Sequence, residues 1–461
     1  MLEPFAHHLL RAGSIAVLRV AVVGSGPSGC YTAQSLVQLD PEVRVDVLDR
    51  LPCPYGLVRY GVAPDHEKIK SLQGSLRTVL EHERVRFLGG VRVGGGPGAL
   101  PVERLRELYH AVVYCVGAAT DRRLGIRGED LPGSWSATDF VAWYSAHPDA
   151  ADAGFLHGVR SAVVIGVGNV AVDVTRMLVR GAAELRPTDI PQAALDTLTA
   201  SGITDVRMVG RRGPSQARFT TKELRELGGL PGTEVTVDPA DLALDPADPA
   251  TLPAVQRRNL EVLRGWAGRP PADAARRIGL RFFLRPVELL EDAGRVGAVR
   301  FERTAPDGQG GVTGTGRFED VPAQVVLRSV GYRGVPLDGL PFDTASGTVP
   351  NTAGRVLRAG GASPDEYVAG WIKRGPTGVI GTNRPCAKET AASLLANAPV
   401  LSRKQVPSDP VTALRAAGIE PVPWTGWLAI ERAEAELGAR LGRSVVKLAD
   451  WDALLTAARS S

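Results

Sequence analysis

The stretch that most constrains this chain of 461 residues runs from Leu18 to Arg50. Apolar residues dominate Arg19-Val20-Ala21-Val22-Val23, Gly24-Ser25-Gly26-Pro27-Ser28-Gly29 follows, and a helical pattern continues to Leu39. Val43 to Leu48 then alternates as a second strand and ends at Asp49. Strand, glycine turn, helix, and a strand tipped by an acid predict the unit that holds a dinucleotide. Gly24 permits the tight turn, Gly26 beside Pro27 lets the backbone approach a pyrophosphate, and Gly29 lets helix and strand pack closely. The pyrophosphate would rest on the free N–H groups of the helix start. Asp49 stands twenty residues past Gly29, within reach of a ribose hydroxyl.

The pattern occurs a second time. Ser161-Ala162-Val163-Val164-Ile165 leads into Gly166-Val167-Gly168-Asn169-Val170-Ala171 and a helix to about Arg180. Ala171 in the third glycine position is a tolerated variant. Two such units predict two dinucleotides, one held permanently and one exchanging. The next strand, Asp205 to Gly210, ends in Arg211-Arg212-Gly213 and not in an acid. Paired guanidiniums make fork-like bonds to a 2′-phosphate that an acid would repel, so NADP is expected over NAD. Gly166 and Arg211 are 45 residues apart, beyond the usual spacing of about 20. The excess is assigned to an insertion from Ala182 to Gly202. Two solvated surface arginines are the plainer alternative.

Between the units, Leu51 to His66 is fixed by prolines and glycines and lies beside the first nucleotide. Asp65 is expected to cap a helix from His66 to about Glu81. His66 reads either as a capping histidine or as a titratable group near a cofactor. Val85 to Leu88 reads as a strand, Leu100 to Tyr109 as a helix and Ala111 to Ala118 as a buried strand. Thr220 to Leu227 is a short helix whose acids could simply pair at helical spacing. Gly232 to Pro271 shows no motif. Leu280 to Glu291, Val296 to Thr304, Gly314 to Asp320 and Val325 to Val330 alternate as strands. Tyr367 to Ala369 leads through Trp371 into a glycine-rich turn with Lys373 and Arg374, then a helix from about Arg384. Backbone N–H groups there suit a flavin's pyrimidine edge, and Trp371 reads either as a core residue or, beside Gly370 and Lys373-Arg374, as a planar wall for a cofactor. In the mostly helical tail, Trp424, Trp427 and Trp451 are expected to pack.

The length allows two to three domains. Charge is nearly balanced, 54 Lys and Arg against 50 Asp and Glu, so nothing points to nucleic acid. No apolar run reaches the roughly 20 residues of a membrane span. Residues 1–18 read as an N-terminal extension without a signal-peptide core. The four cysteines are far apart, so no dithiol, zinc or iron–sulfur site and no other metal site is expected. Cys30 and Cys115 read as buried thiols, and a cytoplasmic protein fits best.

The glycine turns, Gly56-Leu57-Val58-Arg59-Tyr60-Gly61-Val62-Ala63-Pro64-Asp65-His66, Gly210-Arg211-Arg212-Gly213-Pro214 and Gly370 to Thr382 resemble the adrenodoxin reductase family. Within it the chain is most similar to single-module bacterial NADPH–ferredoxin reductases. The resemblance implies two Rossmann-like α/β domains, with the NADP domain (118–331) inserted in a discontinuous FAD domain (19–117 and 332–461). It implies non-covalent FAD, NADPH as donor and a ferredoxin-like iron–sulfur protein as acceptor; a monomer is expected. FAD would be held by Gly24, Gly26, Pro27, Gly29, Asp49, Leu57, Val93, Trp371, Gly378, Val379 and Ile380. NADP would be held by Gly166, Gly168, Asn169, Val170, Arg211, Arg212 and Glu223, with Arg122 and Gly378 close by. His66, Asp173 and Glu223 are the expected catalytic groups. Asp49 departs from the family's more usual Glu, which shortens the arm toward the ribose.

Hydride transfer needs two rings held close and parallel, not a nucleophile. With no dithiol, electrons would leave to an external one-electron acceptor. A flavin-dependent NADPH oxidase or monooxygenase, and a redox-sensing FAD and NADPH-binding module, are the competing readings. A relative of the small subunit of glutamate synthase would carry cysteine clusters. The expected docking surface for an acidic ferredoxin joins Arg218, Lys222, Arg225, Arg257, Arg258, Arg276 and Arg277 to the Lys373-Arg374 turn, with a solvated basic face as the plainer alternative.

Overall fold

Val20, Ala21 and Val22 are shielded from solvent on both sides, which makes Arg19–Val23 a central strand. In the computed structural model, which describes residues 17–150, 154, 156, 158–270 and 272–460, this strand anchors a seven-stranded sheet. The expected extension falls almost wholly on residues 1–16, outside the described residues. The strand order is Asn351–Thr352, Arg355–Arg358, Gly361–Val368, Ala111–Tyr114, Arg19–Val23, Arg44–Leu48 and Val85–Leu88. The last five are parallel, and the first two add an antiparallel edge. Parallel strands covered on both faces need apolar side chains at successive positions, the unbroken runs seen in the sequence. Helices Pro27–Leu39 and Asn383–Leu395 pack against each other over one face.

The second sheet has six parallel strands, ordered Ser134–Ser136, Val325–Arg328, Ser161–Ile165, Asp205–Val209, Arg276–Arg281 and Thr233–Val237. Its strands all fall between Tyr114 and Asn351, so the second sheet is inserted into the first. A three-stranded antiparallel meander, Leu284–Asp292, Arg295–Pro306 and Val312–Pro322, packs Leu284, Val299 and Phe301 against Val163, Ile165 and Val209. Thr120–Asp121 pairs antiparallel with Tyr332–Arg333 where the chain passes between the two sheets and returns. Among the described residues no helix is long and apolar enough to cross a membrane.

Several local expectations need correction. The single strand expected over Leu280 to Glu291 is two strands in different sheets, broken at Phe283, whose φ is 54°. Phe282, Phe283 and Leu284 are all buried, so the break leaves no gap in the apolar run. The helix expected over His66 to Glu81 is split into Glu67–Lys70 and Leu72–Leu80. At the break, the Ser71 hydroxyl donates to the Lys68 carbonyl at 2.8 Å. Asp65 caps neither piece; its carboxylate is taken by Arg176 and Arg180. The segment read as motif-free holds the edge strand Thr233–Val237 and helices Pro239–Leu244 and Ala254–Ala267. Its buried Asp241 accepts from Phe282 N–H and Arg303, partners remote in sequence. In the tail, Trp427 is buried edge-on to Tyr55 at 5.8 Å, while Trp424 and Trp451 pack partly buried on the same core.

Candidate active site and nucleotide cavity

The first glycine turn divides its labour. Gly24 has φ +106°, and a methyl there would lie 2.6 Å from the Cys115 carbonyl oxygen. At Gly29 a methyl would fall 1.8 Å from the Gly24 oxygen, so helix and strand meet there through bare backbone. Gly26 is different: a methyl would meet only Gly56 Cα, at 3.7 Å. This turn opens onto a cavity of about 870 Å³ lined by Gly24, Gly26, Pro27, Asp49, Leu57, Val93, Trp371 and Ile380. Gly29, Gly378 and Val379 stand outside the lining, and Val379 is 65% exposed.

The cavity fits a long polar guest. Ser28 Oγ, Thr138 Oγ1 and Trp371 Nε1 are buried atoms of lining residues and have no hydrogen-bond partner among the described residues. Trp371 lies beside Tyr332 with ring centroids 5.2 Å apart. Asp49 faces the cavity but is engaged locally: Oδ2 accepts from Ser25 N–H (2.8 Å) and Ser25 Oγ (2.5 Å), and Oδ1 accepts from Leu51 N–H. Burial pushes this carboxyl above its ordinary range, against the Ser25 hydrogen bond. Oδ1 retains a lone pair for a ribose hydroxyl.

At the second turn, a methyl on Gly168 would meet nothing within 4 Å, and the adjoining Asn169–Val179 helix start has no side-chain cap. Asn169 Oδ1 accepts from Thr220 N–H at 2.8 Å and ties this helix start to the segment after the arginine pair. Gly166 meets the Ser329 carbonyl as Gly24 meets that of Cys115. Exposed Arg211 and half-buried Arg212 have no acidic partner among the described residues; nor do Arg122 and Arg218, both exposed. Burial, then the charges of Arg211 and Arg218, lower the pKa of Arg212, the mark of cations held together without an anion. The Arg211 carbonyl accepts from Thr304 Oγ1 at 2.9 Å, fixing the backbone that carries them.

His66, Asp173 and Glu223 come together between the two sheets. His66 Nε2 lies 3.1 Å from Asp173 Oδ1, 3.3 Å from Glu223 Oε2 and 3.7 Å from Glu226. Thr220 caps the Thr221–Leu227 helix and sets Glu223 in its first turn. Arg176, completely buried, binds Asp65 at 2.6 Å and Asp173 at 2.8 Å. The spacing of His66, Asp173 and Glu223 would also suit a divalent cation, but Arg176 already supplies a positive charge there, 2.8 Å from Asp173 and 3.9 Å from Glu223. Arg176 was not singled out in the sequence, although an arginine beside Met177-Leu178-Val179 must find buried acids. Burial pushes the Glu223 carboxyl up. Burial alone would lower the His66 pKa, but the Asp173 hydrogen bond and charge outweigh it and the net shift is upward. His66 therefore keeps its proton to higher pH than an ordinary histidine.

That shift has a sign. A raised folded-state pKa gives stability that is full below about pH 6.5, the unfolded value, and is lost as pH rises through the folded value. His66→Gln is expected to remove this component, so its unfolding free energy should vary less with pH across that window than the parent's. Parallel stability curves for the two proteins, measured by urea titration, would refute the coupling.

Two glycine-turn sheets, one opening onto a large cavity and the other with arginines at a strand tip that have no acidic partner among the described residues, define an oxidoreductase of the two-dinucleotide flavoprotein class. Residues 18–212 match the pyridine nucleotide-disulphide oxidoreductase family. The chain is 46% identical to NADPH-ferredoxin reductase FprA of Mycobacterium tuberculosis, over 95% of this chain and 98% of the relative. It is 40% identical to the mitochondrial NADPH:adrenodoxin oxidoreductase of Arabidopsis thaliana, over 96% and 95%. The solved structure of M. tuberculosis FprA in complex with NADPH superposes with a TM-score of 0.90 at 44% identity, over 96% of this chain and all of that one. The chain belongs to the adrenodoxin reductase family of NADPH-dependent FAD oxidoreductases.

With FAD as the guest, Gly26→Ala is expected to fold like the parent, since a methyl has room in the protein itself, yet to lose most of its flavin. Recovery of a yellow, stoichiometrically loaded variant would contradict the placement of the pyrophosphate.

Proposed function

We propose that this chain oxidises NADPH through bound FAD and delivers the electrons one at a time to a ferredoxin-like iron–sulfur protein. The observation that carries the reading is one chain presenting both a large cavity at the Gly24–Gly29 turn and the Arg211-Arg212 tip, which has no acidic partner among the described residues. Residues 19–117 with 332–461 serve as the FAD unit and 118–331 as the NADP unit. Bound flavin supplies the chemistry that converts a hydride into two single electrons. The chain's own groups bind and orient. Gly26, Pro27, Asp49, Leu57 and Val93 hold the FAD backbone, while Trp371 and Ile380 wall its ring. Gly168, Asn169 and Val170 receive the NADP pyrophosphate, and Arg211 and Arg212 select its 2′-phosphate. His66, Asp173 and Glu223 hold a proton between the units, where the two rings would meet. The four cysteines are free and buried, which leaves no dithiol relay and favours an external acceptor. The protein works as a cytoplasmic monomer.

The docking surface is narrower than the sequence implied. Lys222 is paired with Glu226, Arg277 with Glu234 and Lys373 with Glu389; Arg276 donates to the Val179 carbonyl, and Arg374 to Asn383. Arg218, Arg225, Arg257 and Arg258 remain exposed and have no acidic partner among the described residues. Steering by exposed charge is screened beyond roughly 8 Å at physiological salt. Arg257→Glu with Arg258→Glu is therefore expected to raise KM for an acidic ferredoxin several-fold and to flatten its salt dependence. Reduction of a neutral dye should be spared. A ferredoxin rate indifferent to both salt and charge reversal would place the exit elsewhere, and no ferredoxin reduction at all would favour the oxidase reading.

A further inference from the structure

We propose that Arg50, Asp149 and Trp451, with His147 as a wedge, form a clasp across the adenosine half of the FAD cavity and set the rate at which the cofactor leaves. The inference rests on the FAD reading of that cavity. Asp49 at the strand tip marks the ribose end, so Arg50, the next residue, stands beside the adenosine. Arg50 Nη1 lies 2.6 Å from Asp149 Oδ2, and the other Asp149 oxygen accepts from Trp451 Nε1 at 2.7 Å. The two carboxylate oxygens thus join three remote pieces of chain. These are the tip of the second strand, the turn after helix Ala137–Tyr144, and the first residue of helix Trp451–Arg459.

His147 sets the angle of the carboxylate arm. Its Nδ1 accepts the Asp149 N–H at 3.2 Å, and its ring stands edge-on against Tyr60 at 5.0 Å. Burial, then the Arg50 charge, hold the His147 pKa down to about 4, so the ring stays neutral and keeps the lone pair that Asp149 uses. Arg50, Tyr60, His147 and Asp149 all line the cavity, two from the first sheet's side and two from the inserted segment. The Arg50–Asp149 bond therefore spans the rim. With side chains 41% and 45% exposed, the pair can open without unpacking a core. A guest whose adenosine lies behind it must wait for that opening.

The test uses the full chain loaded with FAD, and follows release after dilution by the rise in flavin fluorescence. Asp149→Ala removes both bonds and should release FAD roughly five- to ten-fold faster than the parent. Trp451→Phe keeps the packing and loses one bond, so about two- to three-fold is expected. Asp149→Glu should restore most of the parent rate. Apo forms of all three should melt within about 2 °C of the apo parent, because a half-exposed pair adds little to folding. Release at the parent rate from Asp149→Ala would overturn the clasp. So would faster release matched by an equal loss of apo stability, which would mark the contacts as merely structural. A parent chain that binds no FAD would overturn the cofactor reading and the clasp with it.

Discussion

Alanine at both Arg211 and Arg212 is expected to lower kcat/KM for NADPH by on the order of 10²-fold while leaving NADH turnover within a few-fold. One charge-assisted contact contributes about 1.5–3 kcal/mol, and each 1.4 kcal/mol is tenfold. Two such contacts could reach more, but Arg211 is exposed and water screens part of its charge. The discrimination should fall on the 2′-phosphate alone, since neither arginine has another anion to hold among the described residues. A second consequence separates binding from folding. Arg211, Arg212 and Arg218 repel one another, so deleting two of them should leave apo stability unchanged or slightly higher. Steady-state kinetics with both donors, together with apo melting, check the two halves independently. Equal losses with NADPH and NADH would remove these residues from the phosphate site.

Removing Glu434 should have the largest effect on stability, a loss of about 3–5 kcal/mol for Glu434→Ala. Arg59 and Glu434 are 4% and 3% exposed and form a two-pronged pair at 2.6 and 3.1 Å. The Arg59 guanidinium also lies 5.0 Å from the centroids of both Tyr60 and Trp427, and Glu434 accepts from Leu448 N–H. Truncating the acid leaves a cation where water cannot reach it. The pair itself need not be stabilising, because two desolvated charges cost nearly what their attraction returns. The double variant Arg59→Met with Glu434→Leu should therefore recover much of the loss. Urea unfolding of the parent, the single and the double variant closes the cycle. Because Tyr60, next to Arg59, and Leu57, two residues before it, line the cavity, the single variant should also hold FAD poorly. A single variant within 1 kcal/mol of the parent would show that the buried cation finds another partner.

The parts of the fold legible in the sequence were those whose physics is local. The glycine turns announced themselves because only glycine tolerates a carbonyl as close as that of Gly24 to Gly29. The central strands were legible because burial on both faces demands unbroken apolar runs. The Arg211-Arg212 pair was legible as an absence, a strand tip without its acid. Whatever depended on distant partners stayed hidden. Asp65 has the look of a helix cap until Arg176, 111 residues away, takes its carboxylate. Lys373 looks like a free cation until Glu389 folds beneath it. Asp149 gave no signal and Trp451 announced only packing, since their hydrogen bond joins positions 302 residues apart. Phe283 hid a strand break because the residues on both sides are equally apolar.

The pairing of Thr120–Asp121 with Tyr332–Arg333 makes entrance and exit of the inserted segment neighbours, hydrogen-bonded to each other. Neighbouring ends make this segment an interchangeable cartridge. Joining the two strands by a short turn would close the first sheet without stretching it, because bridging ends already in contact adds little loop entropy. Domain exchange between relatives, or a circular permutant opened at this point, would then inherit a seam where backbone bonds already match. The cost would come from the far side, where Lys447 and Lys70 of the first unit grip Asp189 and Arg443 holds the carbonyls of Thr188 and Ile190. A transplanted cartridge that lacks those acceptors would fit the seam and leave two buried cations unanswered.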